Sequence, residues 1–248
     1  MKKIVKRILI GVSIVIAVVV LLFVGLFLKM KSETKVMTPL KTGWVVDQIF
    51  ALNESFVNTY LIKDSDSYIV VDAGNNIDNV ATELKKLAIK PDKVSAVLLT
   101  HTDADHVAAL SLFKNAKVYL SIQEEKMIDG SKNKVFLIKN KISTNEYILL
   151  EDQQVITIGN TKIQGILTQG HTFGSMCYLM NDKYLFIGDV LSLKAGKIGK
   201  FNEFFNMDTE TAINSIEKIT KLPIAEYIFT AHYGYTSDYK YAVADWGQ

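Results

Sequence analysis

Residues 98–110, "LLTHTDADHVAAL", set two histidines and two aspartates within six positions at the end of an apolar run. Neither a strand nor a helix needs four ligand-grade side chains at that spacing to hold together, so His101, Asp103, Asp105 and His106 point to a site. The residues just before them say where it lies. "VSAVLL" (94–99) is a short apolar run rich in Val and Leu, as expected of a strand buried on both faces, and the polar cluster begins where that run stops.

Outward from this stretch the chain alternates between strand and helix signals. "YLIKDSDSYIVVDAG" (60–74) reads as a hairpin and "NVATELKKLAI" (79–89) as a helix with Val80, Leu84 and Leu87 on one face. "VAALSLF" (107–113) is expected to be helical, "AKVYLS" (116–121) a strand and "QEEKMI" (123–128) a helix. Residues 146–168 are expected to form a β meander, and 177–188 a hairpin turning at Asn181 and Asp182. A helix over 209–222 carries Ala212, Ile213, Ile216 and Ile219 at helical spacing behind an Asp208 cap, and "EYIFTAH" (226–232) closes the domain as a strand. The economical architecture is α+β, two sheets with helices outside.

The chain has four histidines, and the other two, His171 in "TQGHTFGS" and His232 in "FTAHYGY", also follow predicted strands. Asp189 in "LFIGDVL" is presented the same way, past a buried strand and behind a glycine. Imidazole nitrogen with carboxylate oxygen suits zinc, iron or manganese. His101, Asp103, Asp105, His106, His171, Asp189 and His232 are too many donors for one tetrahedral ion and about right for two.

In order and spacing these motifs resemble those of the metallo-β-lactamase-fold hydrolases: H-x-H-x-D-H after a strand, H in a GHTPGS-like turn, D in "GD", and a final H. Here they read "HTDADH", "GHTFGS", "GD" and "AH", preceded by "VDAG" around Asp72. The resemblance, over roughly residues 44–240, implies an αββα sandwich and two divalent ions, zinc first, with iron or manganese open because of Asp103. It implies that His101, position 103 and His171 hold the first ion, that Asp105, His106 and His232 hold the second, and that Asp189 bridges. A hydroxide between the ions would attack a carbonyl or phosphoryl group, with Asp105 orienting it and passing the proton. Asp103 departs from the family's histidine, and Phe173 from its proline. Asp72 is expected to be structural or to support a ligand, and Tyr233, Tyr235 and "FNEFFNM" (201–207) are given no catalytic role.

The expected activity is hydrolysis of a small ester, thioester or lactone. A β-lactamase is not expected, because several of those enzymes carry Cys or His where this chain has Asp189. Two alternatives stay open: an iron-dependent oxidoreductase of the flavodiiron type, which places a glutamate at position 103 but carries a flavin domain, and a catalytically silent, metal-stabilised module.

No charged side chain occurs from Ile8 to Leu28, a run that at about 1.5 Å per residue spans roughly the 30 Å hydrocarbon layer. The resulting division is a basic tail (1–7), a transmembrane helix (8–28), a linker (29–43) and a catalytic domain (44–248). No A-x-A-like cleavage site or lipid-accepting cysteine follows the run, so an uncleaved single-pass anchor in the cell membrane is expected, with the catalytic domain extracytoplasmic. The single Cys177 excludes an intramolecular disulfide, and a net charge of +2 without a basic stripe argues against nucleic acid as partner. The expected partners are a small-molecule substrate and the membrane, and the oligomeric state is left open.

Overall fold

Strands that are apolar on both faces must be covered on both sides, and this requirement organises residues 43–150. The computed structural model, which describes residues 2–134, 138–222 and 225–247, places seven strands side by side in chain order. They are β1 (Gly43–Val46), β2 (Ile49–Glu54), β3 (Val57–Asp64), β4 (Ser67–Val71), β5 (Val94–Leu98), β6 (Lys117–Ser121) and β7 (Ile148–Leu150). β1 to β4 pair antiparallel, and β4 to β7 run parallel. Side chains alternate across the sheet: Tyr60, Ile62, Ile69, Val71, Ala96 and Leu98 turn to one core, while Leu61, Val70 and Val97 turn to the other. Helix α1 (Lys2–Thr34) precedes this sheet in the chain. α2 (Ile77–Lys86), capped by Asn76, covers the second core through Val80 and Leu84. α3 (Ala104–Val107) and α4 (Ile122–Asp129) follow β5 and β6.

The second sheet is built from β8 (Val155–Ile158), β9 (Thr161–Leu167), β10 (Met176–Met180), β11 (Tyr184–Phe186), β14 (Tyr227–Phe229) and β15 (Tyr235–Thr236), in the order β15-β14-β11-β10-β9-β8. Only β11 and β14 run parallel, joined through the hairpin β12 (Leu191–Lys194) and β13 (Lys197–Lys200) and helix α5 (Thr209–Thr220). Met176, Tyr178, Phe186 and Phe229 meet the inner residues of the first sheet. Cys177, Leu179, Leu185 and Ile228 face Ile216 and Ile219 of α5, and Tyr239 and Ala242 of α6 (Tyr239–Val243). The layers are therefore helix, sheet, sheet, helix, the αββα sandwich expected. The hairpin at Asn181 and Asp182 also forms as expected, both residues having positive φ (50° and 54°), which matches the strand twist.

Several local expectations are corrected. Residues 146–168 are not one meander: β7 joins the first sheet beside β6, and the chain crosses at 151–154 to start the second. Helix α3 begins before Val107 instead of at it and ends there. The amides of Ala108 and Ala109 bond to the carbonyls of Gly74 and Ala73 and are taken from the helical ladder, leaving a 3-10 turn at Leu110–Leu112. β14 does not close the domain; β15 and α6 follow, too short for a periodic signal. The tether expected over 29–43 is also shorter. Helix α1 reaches Thr34, and the compact unit begins at Thr38, with Leu40 bonded to Asn53 and Asn58. Taken by itself, α1 is long and apolar enough to cross a membrane, with exposed side chains such as Leu21 and Leu22.

The loop carrying His171 is seated on α5 through Gly170. Its φ is +131°, and a Cβ there would lie 2.3 Å and 2.4 Å from the backbone N and Cα of Ala212. Gly170→Ala therefore needs both a strained backbone and a shifted helix, and is expected to destabilise the protein by roughly 2–4 kcal/mol. Urea unfolding measures this, and an unchanged midpoint would show that α5 gives way freely.

Candidate metal centre

The ends of strands from both sheets bring all seven predicted residues together. His101, Asp103, Asp105 and His106 lie on the turn after β5 and on α3. His171 comes from the turn between β9 and β10, Asp189 follows β11, and His232 follows β14. Three groups of donor atoms each fit within 4.8 Å: His101, Asp103 and His171; His101, His106 and Asp189; and Asp105, His106 and His232. Asp189 sits among them all. Its Oδ2 lies 3.1 Å from His232 Nε2, 3.4 Å from His171 Nε2 and 4.0 Å from His101 Nε2, and its Oδ1 lies 3.5 Å from His106 Nε2. Glycine before Asp189 is required twice over, because Gly188 has φ +54° and a Cβ there would meet Thr100 Oγ1 at 2.5 Å.

Each imidazole has its outer nitrogen committed to an oxygen. His106 Nδ1 lies 2.9 Å from Asp72 Oδ2, His232 Nδ1 donates to the carbonyl of Phe56 at 2.7 Å, and His171 Nδ1 lies 3.3 Å from Asn206 Oδ1. Thr100 donates its hydroxyl to Asp72, so its oxygen is free to accept from His101 Nδ1 at 3.0 Å. The four Nε2 atoms are thus turned inward as donors to a cation, an arrangement typical of metal-binding histidines. Among the described residues, His101 Nε2, His106 Nε2 and Asp189 Oδ1 are buried without any hydrogen-bond partner. Such atoms cost about 1–3 kcal/mol each when left unpaired. Their convergence, with a donor set of imidazole and carboxylate, fits divalent metal.

The electrostatics agree. Burial holds His101 well below the usual imidazole range, reinforced by its neighbours His106 and His171. Burial also opposes a charge on His106 and His232, but the carboxylates around them prevail and raise both: Asp189, Asp72 and Asp105 for His106, and Asp189 and Asp105 for His232. Asp189, despite burial, is held well below the carboxylate range by His232, His106 and His171. The imidazoles are almost wholly covered, whereas Asp103 and Asp105 are 19% and 25% exposed and form the open side.

Several supporting residues escape sequence reasoning. Glu124, fully buried on α4, accepts from Thr102 N (2.7 Å), Thr102 Oγ1 (2.6 Å), Thr172 Oγ1 (2.6 Å) and Gly174 N (3.1 Å), tying the His101 turn to the His171 turn. Its signal was the Ser121-x-x-Glu124 capping pattern, in which the glutamate would ordinarily serve its own helix. Lys134 donates to Asp103 Oδ2, and Asn140 reaches Asp103 Oδ1 at 3.1 Å. Asn206 and Phe201, both in "FNEFFNM", do touch the site: Phe201 packs edge-on against His171 at 5.1 Å. Asp72 has the supporting place expected of it, beside His106, whereas Tyr235 stacks on Phe229 at 5.5 Å, away from the ligands.

Residues 52–232 match the family model of the metallo-beta-lactamase superfamily. The chain is 40% identical over 137 residues to a "Probable polyketide biosynthesis zinc-dependent hydrolase" of Bacillus subtilis, covering 53% of this chain and only 54% of that relative. It is 30% identical over 182 residues to a hydroxyacylglutathione hydrolase of Buchnera aphidicola, covering 73% and 64%. Among solved structures, one described as the first B3 metallo-beta-lactamase with an active-site glutamic acid superposes with a TM-score of 0.62 at 16% identity, over 87% of this chain and 89% of that one.

The Glu124 clamp makes a measurable prediction. In Glu124→Gln the amide nitrogen must face either the Thr102 or the Gly174 amide, leaving a buried donor unpaired at a cost of about 1–3 kcal/mol. Burial pushes Glu124 up from 4.5 to about 7. Its folded value lies above its unfolded one, so its contribution is fully present below pH 4.5 and fades as pH rises through 7. Denaturation of the metal-free proteins should show the variant less stable at pH 6, with the gap narrowing toward pH 8; equal stability at pH 6 would contradict the clamp, and parallel curves would contradict the raised carboxyl.

Proposed function

We propose that the chain, a member of the metallo-beta-lactamase superfamily, is a metal-dependent hydrolase that cleaves a small ester, thioester or lactone at a two-ion centre. The observation that carries this reading is the inward set of four Nε2 atoms and three carboxylates, with every Nδ1 already committed. His101, Asp103 and His171 would hold one ion, and Asp105, His106 and His232 the other, with Asp189 between them. Zinc is the ion favoured by the relatives' names and by the histidine-rich donors.

When bound, such ions polarise the substrate's carbonyl oxygen and lower the pKa of water to about 7. The protein's own residues do the rest. Asp105 Oδ2, 3.8 Å from His106 Nε2 and 3.6 Å from His232 Nε2 on the open side, is placed to take the proton lost by the attacking water and hand it to the leaving group. Phe201, against His171 and His232, shields the imidazoles from solvent on the covered side. The relatives named hydroxyacylglutathione hydrolases support acyl transfer to water as the reaction class. A hydrolase, and not an oxidoreductase or silent module, is the reading that the named relatives support.

The apolar helix α1 supports a membrane anchor, and we place the catalytic domain outside the cytoplasm. On this reading the full chain pellets with membranes, resists alkaline carbonate, and is released by detergent, while protease added to intact cells removes the catalytic domain. Recovery of a soluble form starting after the apolar run would instead identify a cleaved signal.

Two further outcomes test the centre. His106→Ala or Asp189→Ala should abolish turnover across an ester, thioester and lactone panel without unfolding the protein, and retained activity would refute the site. His106 and His232 are raised, so in the metal-free chain their protons compete with an ion. Zinc affinity should therefore rise with pH as those protons leave, and zinc binding should release protons, measurable by calorimetry in buffers of different ionisation enthalpy.

A further inference from the structure

The two donor sets are not equivalent. Lys134, from the segment between α4 and β7, reaches into the first set: its Nζ donates to Asp103 Oδ2 and lies 3.0 Å from His171 Nε2, two of the three donor atoms of that set. The lysine is 18% exposed, so this is a partly enclosed contact and not a surface pairing. The other oxygen of Asp103 is held by Asn140, which also bonds Thr102 Oγ1 at 3.0 Å. His171 Nδ1 faces Asn206 Oδ1, which leaves Nε2 to accept from the ammonium at 3.0 Å, with Asp103 Oδ2 also 3.2 Å from that nitrogen, so lysine, carboxylate and imidazole meet at one point. No ion pair between a lysine or arginine and Asp105 or Asp189 occurs among the described residues, so no cation of the chain sits against the carboxylates of the second set.

The two unusual features of the first set explain each other. A histidine at position 103 would bring no charge and need no cation. A carboxylate there, close to Asp189 and largely out of water, does need one. An ammonium seated between Asp103 and His171 supplies it from within the chain, at the place a divalent ion would use.

We propose that Lys134 is a built-in counter-cation for the first donor set, so that the centre fills in order. The set Asp105, His106 and His232 takes an ion first. The set His101, Asp103 and His171 takes one only in exchange for the lysine ammonium, which must swing out to solvent. This rests on the two-ion reading of the centre and adds to it a fixed order of filling and a residue that sets the gap between the two affinities.

The test is a zinc titration of the full-length chain in detergent, stripped by chelator, with bound metal read by elemental analysis and free metal by a chromophoric competitor. The wild type is expected to take one equivalent tightly and a second at least tenfold more weakly. Lys134→Met, which keeps the aliphatic stem and removes the charge, should tighten the second step at least tenfold and leave the first unchanged; Lys134→Gln provides the same comparison if the methionine variant does not fold. His106→Ala should remove the tight step and His171→Ala the weak one. Two equal steps in the wild type, an unchanged second step in both lysine variants, or loss of the tight step in His171→Ala would each overturn the proposal. Uptake of no zinc at all would overturn the two-ion reading with it.

Discussion

A carboxylate taken out of water must recover from the protein the hydrogen bonds that it loses, and this structure depends on two whose oxygens are all engaged. Asp72, at the end of β4, accepts from the amide and the hydroxyl of Thr100 and pairs with His106. Glu124, at the start of α4, accepts from both sides of the His101 turn and the His171 turn. Neither belongs to the donor set itself. One orients two imidazoles, the other holds two turns at a fixed spacing, and between them the inner atoms of the centre have little freedom left. Asp72 keeps this place with a φ of +60°, a conformation that a residue with a side chain adopts only when its surroundings insist on it.

What was legible in the sequence divides along physical lines. The donor residues were legible because His and Asp at strand ends serve no packing purpose, and the layer order because runs such as "VSAVLL" and "YIVV" are apolar on both faces, Ser95 excepted. The crossing after β7 was not legible. "EYILL" and "QVITIG" carry the same alternation whichever sheet receives them, and only the pairing of Tyr119 with Ile148 and of Leu120 with Leu149 decides it. The early end of α3 was hidden for a related reason: its amides bond to Ala73 and Gly74, more than thirty residues away in the chain.

Residues that act through another residue were the hardest to find. Glu124 carries an ordinary capping pattern, Asn206 sits in a phenylalanine-rich stretch, and Lys134 is one of several lysines in "SKNKVFLIKN". None has a distinctive neighbour in sequence, because the partners that give each its role come from other strands. The departure at Asp103 was visible as a departure, but its compensation in Lys134 lies 31 residues further on, beyond β6 and α4, and needed coordinates to be seen.

The centre lies on a seam between two successive parts of the chain. Four of its donors come from the part that builds the first sheet and three from the part that builds the second, with the crossing at 151–154 between them. During synthesis the first part can pair its strands while the second is still unmade, and it then presents two histidines and two aspartates to solvent as an incomplete and therefore weak chelate. Only after residue 232 has left the ribosome can the last imidazole close the ring. On the two-ion reading, an ion bound at that point would clasp the two parts together, and separating them would cost its bonds to one part or the other.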